Sequence, residues 1–227
     1  MSDPAATVAD ALRSRRSVRK YLPTPVPPEM LRQVLALAAN APSGSNIQPW
    51  RVFVLTGAPL AALGTAIKTA FLTGEPGHKR EYNYYTDPVV EPYLSRRRAC
   101  GWGLYGTLGI AKGDREGTRQ QRAANYDFFG APAGLVFTID RGLERGSWMD
   151  MGGFLQSVML AARGLGLHTC AEASIAEYPK VVRAHVPVSD DHMIVCGMAM
   201  GYADLDARVN QFRTAREPLD VFATFLG

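Results

Sequence analysis

The densest positive charge in the chain is Arg13, Arg15, Arg16, Arg19 and Lys20, gathered around Ser17. Guanidinium forks donate in pairs to oxyanions and a hydroxyl adds one more donor, so this group suits a phosphate monoester. A solvated helix end with favourable dipole pairing is the plainer reading of the same run. Arg15 favours the ligand: it continues the stripe Val8, Ala11, Leu12, and an unpaired buried guanidinium is costly. A second constellation is Ala41-Pro42-Ser43-Gly44-Ser45-Asn46-Ile47-Gln48-Pro49-Trp50. Its small residues permit close backbone approach to a flat ligand, and the amides of Asn46 and Gln48 match the edge of a heterocycle. An ordinary helix-to-strand turn uses the same residue types.

Other signals point away from protein-borne chemistry. Gly101-Trp-Gly103-Leu-Tyr-Gly106 matches G-x-G-x-x-G, but EPYLSRRRAC before it is no strand, so it is not a dinucleotide fingerprint. His78, His168, His185 and His192 lack metal-ligand spacing, and Cys100, Cys170 and Cys196 lack C-x-x-C spacing and read as core thiols. With no G-x-S-x-G elbow either, no catalytic side chain and no metal are expected, and the hard step falls to a bound cofactor. A net charge of +4 suits anionic small molecules and is too mild for a nucleic-acid binder. No apolar run approaches bilayer length and the first twenty residues hold no apolar targeting core, so a cytoplasmic protein without membrane contact is expected.

Stepping along the 227 residues, 47% of them hydrophobic, the pattern predicts one domain over 1–227. Thr7 and Asp10 form a capping box for a short helix, and Leu31, Val34, Leu35 and Ala38 predict a helix opened by Pro28. Trp50–Leu55 reads as a strand buried on both faces, and Pro59–Phe71 as a helix. Residues 73–128 have no clean period but hold Tyr82, Tyr84, Tyr85, Tyr93, Tyr105 and Tyr126, so they read as an irregular, aromatic-rich excursion over a site. Ala133–Ile139, Leu167–Ala171 and Met193–Met200 read as strands. Ser147 and Asp150 form a second capping box for an apolar helix ending at Gly164 and Gly166, and Ala176–His185 is a further helix. This interleaving predicts a mixed sheet covered by helices. Residues 210–227, with Val221, Phe222, Phe225 and Leu226, read as an extended arm that adds to a second subunit.

Arg15-Arg16-Ser17-Val18-Arg19, the Ala41–Trp50 segment, and Gly201-Tyr202-Ala203-Asp204 leading into Asn210–Asp220 resemble the FMN-dependent nitroreductase family in the same order. The likeness spans nearly the whole chain and is greatest to the nitroaromatic-reducing branch. It implies an α+β, nitroreductase-like fold in an intertwined homodimer with C-terminal arm exchange and two FMN molecules at the interface. Arg15, Arg16, Ser17 and Arg19 would meet the flavin phosphate, with Arg216 and Arg213 from the late motif. Pro42, Ser43, Gly44, Asn46 and Gln48 would line the cofactor from the other subunit. Cys170-Ala171-Glu172-Ala173 lies where the family sets a turn against the reactive edge of the ring. Relatives often carry proline in place of Ala171, which leaves Glu172 and Ala173 both open as the residue whose amide faces flavin N5. The implied activity is ping-pong transfer of electrons from NADPH or NADH to a small nitroaromatic or quinone-like acceptor. Reductive dehalogenation or enoate reduction on the same fold is the alternative. Tyr82, Tyr85, Tyr93 and Trp102 read either as an aromatic wall over that site or as core packing.

Overall fold

In the computed structural model, which describes residues 3–227, four strands form one sheet in the order β1-β2-β4-β3. They are β1 (Trp50–Thr56), β2 (Ala133–Asp140), β3 (His168–Glu172) and β4 (His192–Gly201). Residues 1 and 2, which the expected single domain includes, lie outside the described residues. Strands β2 and β4 are central and buried on both faces, so their β-branched, sulfur-bearing and aromatic runs show little polar alternation. Helices α2 (Pro28–Ala38) and α6 (Arg145–Gly164) cover one face, where Ala133, Leu135, Phe137 and Ile139 of β2 meet Leu31, Val34, Phe154 and Val158. Helices α3 (Gly57–Thr73) and α7 (Pro179–His185) cover the other, where Val136 meets Leu63, Ile67 and Val182. A register shift between Phe137 and Thr138 in the β2–β4 pairing marks a bulge near the middle of the sheet.

Several expectations change. All three strand pairings are antiparallel, so the sheet formed by the named strands is not mixed; a parallel pairing occurs at the isolated bridge between Ser17 and Thr169. Strand β1 is not buried on both faces: it is an edge strand that pairs with β2 alone, and only its Leu55 is buried. Helix α1 (Val8–Ser14) is capped as expected, with Asp10 N donating to Thr7 Oγ1 at 3.1 Å. Its stripe is not buried, however, since Val8 is 71% and Leu12 52% exposed, and Ala11 alone packs inside. Ser147 does not cap α6, which starts two residues earlier after Glu144. The span 73–128 contains two helices, α4 (Tyr93–Leu108) and α5 (Arg115–Tyr126). Helix α4 buries no residue and α5 only Ala123 and Tyr126, so neither has a wide apolar stripe that would print a period on the sequence. The stretch 173–185 is a 3-10 turn followed by α7, divided at Tyr178-Pro179, and the carboxyl arm holds one helical turn, α8 (Leu219–Phe222). Among the described residues no helix is long and apolar enough to cross a membrane.

Arg163 joins the end of α6 to the start of the chain. It is 4% exposed, and its guanidinium donates to Ser14 Oγ at 3.1 Å, Asp3 O at 3.1 Å and Leu167 O at 3.2 Å. A buried cation satisfied by oxygens near a helix C-terminus is favourably placed. It fixes α1, and α1 delivers the arginine run.

Candidate functional site

Residues 17–22 leave α1 and cross the end of the sheet. Val18 N donates to Thr169 O at 3.1 Å, Leu22 N to Tyr202 O at 2.8 Å, and Asp204 N to Lys20 O at 3.1 Å. Asn210, 2% exposed, holds this crossing: its Oδ1 accepts from Arg19 N at 2.7 Å and its Nδ2 donates to the carbonyls of Lys20 and Asp204, both at 2.8 Å. The backbone thus presents Arg13, Arg15, Arg16, Ser17 and Arg19 to a cavity of about 560 Å³ that Arg213 and Arg216 enter from the arm. Two groups nearly 200 residues apart therefore meet. Among the described residues none of these guanidiniums forms an ion pair with a carboxylate, and Arg16 Nε is buried without a hydrogen-bond partner. So many like charges around one cavity repel each other until an anion enters. Arg15 is half-buried against this cavity rather than closing an apolar stripe. Cys100, expected in the core, is exposed and lines the same space with Gln156 and Phe212.

A second cavity, of about 360 Å³, opens at the end of β3. Ala171 and Ala173 form one side, Trp148, Met151 and Leu155 of α6 another, and Tyr82 and Tyr84 a third. Both cavities reach α6, one at Gln156 and the other at Leu155. The Tyr82 ring lies 4.8 Å from Trp148, and its hydroxyl donates to Val195 O at 2.5 Å. Of the two candidates at the turn, Ala173 borders the cavity whereas the Glu172 side chain is buried. Glu172 Oε1 accepts from Ala199 N at 3.2 Å and Oε2 has no partner. Burial drives this carboxyl well above the usual range, against the Ala199 hydrogen bond and the Arg19 charge, which favours its protonated form. Burial likewise pushes the Cys170 and Cys196 thiols up to about 12, which leaves both unreactive.

The loop 42–48 borders neither cavity in a single chain. Pro42, Gly44, Asn46 and Gln48 are exposed and Ser43 is half-buried. Gly44 N donates to Asp150 Oδ2 at 3.1 Å, which ties the loop to α6. Ser43 Oγ accepts from Gln48 N at 2.9 Å and Gln48 Nε2 donates to Asn46 O at 3.1 Å, so these two side chains hold the loop itself. Ser45, Asn46 and Gln48 sit at φ 49°, 58° and 51°. Three left-handed residues without glycine are strained, and such strain concentrates at ligand contacts.

The aromatic segment divides. Tyr82 and Tyr84 line the second cavity, while Tyr85 lies in an adjoining hollow under Arg97, whose guanidinium carbon is 4.6 Å from the ring centre. Tyr93 and Trp102 are exposed on α4 and do not border the second cavity. The glycine motif lies inside α4, where a Cβ on Gly103 would come within 2.5 Å of the Phe212 ring. Trp148, Asp150, Gln156, Arg163 and Asn210 escaped the sequence reading of the site, because each acts on partners distant in the chain. Asp140, Asp191 and His192 bring ligand-type atoms within 4.8 Å of one another, which the histidine spacing did not announce.

Residues 12–202 match the profile of the Nitroreductase family. A chloronitrobenzene nitroreductase of Comamonas testosteroni is 40% identical over 219 residues, 96% of either chain. A 4-nitrobenzoate reductase of Pseudomonas putida is 41% identical over 214 residues, 94% of this chain and 93% of its own. The crystal structure of the FMN and NADPH-dependent nitroreductase NfnB from Sphigopyxis sp. strain HMH matches with a TM-score of 0.94 at 38% identity, over 97% of this chain and 99% of that one.

Proposed function

This chain belongs to the nitroreductase family, and from that membership we propose that it is an FMN-dependent oxidoreductase that passes electrons from NADPH or NADH to nitroaromatic acceptors. The observation that carries the reading is the arginine cavity, whose guanidiniums pair with no carboxylate among the described residues. Its donor set fits a phosphate monoester: Arg15, Arg16, Ser17 and Arg19 would hold it, joined by Arg213 and Arg216. The orphaned Arg16 Nε is the kind of buried donor that such a ligand satisfies.

When bound, FMN supplies the two-electron exchange between nicotinamide and nitro group. The chain's own part is binding, orientation and exclusion. Ala173 faces the second cavity, and burial of the preceding Glu172 favours its protonated form, which lowers the negative charge beside the turn. Tyr82 and Trp148 give that cavity flat walls suited to nicotinamide and nitroarene rings in turn, which implies ping-pong kinetics. The family likeness, the arm and the strained loop support a homodimer in which Pro42, Ser43, Gly44, Asn46 and Gln48 reach the cofactor of the other subunit. The whole chain then acts as one FMN-binding domain, without membrane or nucleic-acid partner, in the cytoplasm where NAD(P)H is replenished.

The purified protein should be yellow, NADPH or NADH under nitrogen should bleach it, and 4-nitrobenzoate should restore the colour. A protein that takes up no FMN overturns the reading. Arg19→Ala should weaken FMN binding by about 1.5–3 kcal/mol, the worth of a charge-assisted hydrogen bond. Flavin retained after dialysis measures this, with Arg98→Ala as the control that keeps it.

A further inference from the structure

The segment between α3 and α4 carries the tyrosine wall, yet few of its residues are buried, so apolar packing does little to hold it. Beside the Tyr82 hydroxyl on Val195 O, the main polar anchor is a carboxylate. Glu81 Oε2 accepts from Ile194 N at 3.1 Å, and both of its oxygens receive Arg183, at 3.1 and 3.3 Å, while Arg141 binds Oε1 from the other side. Those arginines are themselves rooted: Arg183 donates to His192 O at 2.6 Å and Ser189 O at 2.8 Å, and Arg141 to Asp190 O at 2.6 Å. Glu81 thereby joins the segment to α7, β4 and the end of β2. Its neighbour Arg80 reaches Glu177 at 2.6 Å, and its other neighbour is Tyr82. Beyond Tyr82, residues 83–89 make no hydrogen bond to the rest of the described protein. The wall thus has a hydrogen-bonded root and a tip held only by ring and cation contacts such as Arg97 over Tyr85, and the root ends at the residue facing Trp148.

We propose that Glu81 is the positioning residue for acceptor choice: its ion-pair knot holds Tyr82 against Trp148, fixes the width of the cavity beside Ala173, and so favours single-ring over fused-ring nitroarenes. This rests on the nitroreductase reading above. Glu81 does not line the cavity, so it acts on the acceptor only through Tyr82. The knot is only partly buried, with Glu81 16%, Arg183 19% and Arg141 40% exposed, so its hold on the segment comes from several hydrogen bonds converging on one carboxylate rather than from a single ion pair.

In a ping-pong cycle kcat/KM for the acceptor reports the oxidising half alone, so donor binding does not enter the test. The FMN-loaded holoenzyme is assayed with NADPH and either 4-nitrobenzoate or 1-nitronaphthalene, and the ratio of the two kcat/KM values is compared across variants. Glu81→Gln should keep its FMN while that ratio falls by about fivefold or more, within the range a pocket contact gives. Arg141→Gln, which removes a half-exposed partner of the knot, should lower the ratio in the same sense and serves alone if Glu81→Gln does not fold. Tyr82→Leu should give the same loss, and adding Glu81→Gln to it should take the ratio no lower. An FMN-loaded Glu81→Gln or Arg141→Gln with the wild-type ratio overturns the proposal, as does full additivity with Tyr82→Leu. A wild-type protein that neither NADPH nor NADH bleaches sinks the nitroreductase reading instead, so the two failures are distinct.

Discussion

Glu172 shows how burial shifts the charge balance of a single side chain beside the second cavity. It sits one residue before the turn that borders the second cavity, in full burial, with one oxygen bonded to Ala199 N and the other unpartnered. Burial is the largest influence on it and drives its pKa well above 4.5, so the folded chain keeps a proton that the unfolded chain releases above about pH 4.5. The unfolded state then binds fewer protons than the native state, and stability falls as pH rises through that window. Glu172→Gln, neutral in both states, removes the penalty. It should raise the melting temperature more at pH 8 than at pH 5, read by thermal melts of the holoprotein at the two values. An equal change at both would mean that the carboxyl is ionised in the fold. Asn210 serves differently, by hydrogen bonding alone: three bonds from one buried carboxamide hold the backbone on which Arg19 rides. Neither role shows in residue type, since burial and partners decide both.

At the scale of elements, helix α4 separates motif from mechanism. Its Gly101, Gly103 and Gly106 share the spacing of a phosphate-binding turn, but they lie inside a helix and only Gly103 is crowded, against Phe212. Phe212 lines the arginine cavity, so Gly103→Ala should displace that ring and loosen FMN, whereas Gly101→Ala and Gly106→Ala should leave retention unchanged. Equal loss from all three, measured by flavin content after dialysis, would restore the fingerprint reading. The same helix shows where legibility stops. Helix α2 and strands β2 and β4 were readable because burial imposes a period or an unbroken apolar run. Helices α4 and α5 were not, because almost nothing in them is buried. Strand β1 was readable as a strand but not as an edge, since edge position depends on pairing rather than on its own residues. The arginine run was legible as a concentration of positive charge because its members are close together in the chain. Trp148, Asn210 and Glu81 were not, because their partners lie 66, 191 and 113 positions away in the ring contact with Tyr82 and the hydrogen bonds to Arg19 and Ile194.

At the scale of the molecule, the two groups assigned to the proposed site do not meet within one chain. The arginine cavity and the strained loop are separate within it, while Leu219, Val221, Phe222, Phe225 and Leu226 stand exposed in an arm whose Glu217 is tied to Arg96 at 2.8 Å. Apolar side chains in such number are worth about 1.5–3 kcal/mol each once covered, which a second copy of the chain would supply. If each cofactor takes its arginines from one subunit and its loop from the other, defects on the two sides must combine in a fixed way. Arg15→Ala and Asn46→Ala homodimers each carry one defect in both sites and should hold FMN weakly. In a heterodimer of the two variants, one site collects both defects and the other collects neither. Co-expressed chains with different affinity tags, purified through both, should therefore retain about one tightly bound FMN per dimer, although neither parent retains any after dialysis. If arginines and loop served the same subunit's cofactor, every site in the heterodimer would carry one defect and no tight site would appear. Flavin stoichiometry by absorbance distinguishes the two arrangements, and a heterodimer no better than its parents would remove the exchange between subunits.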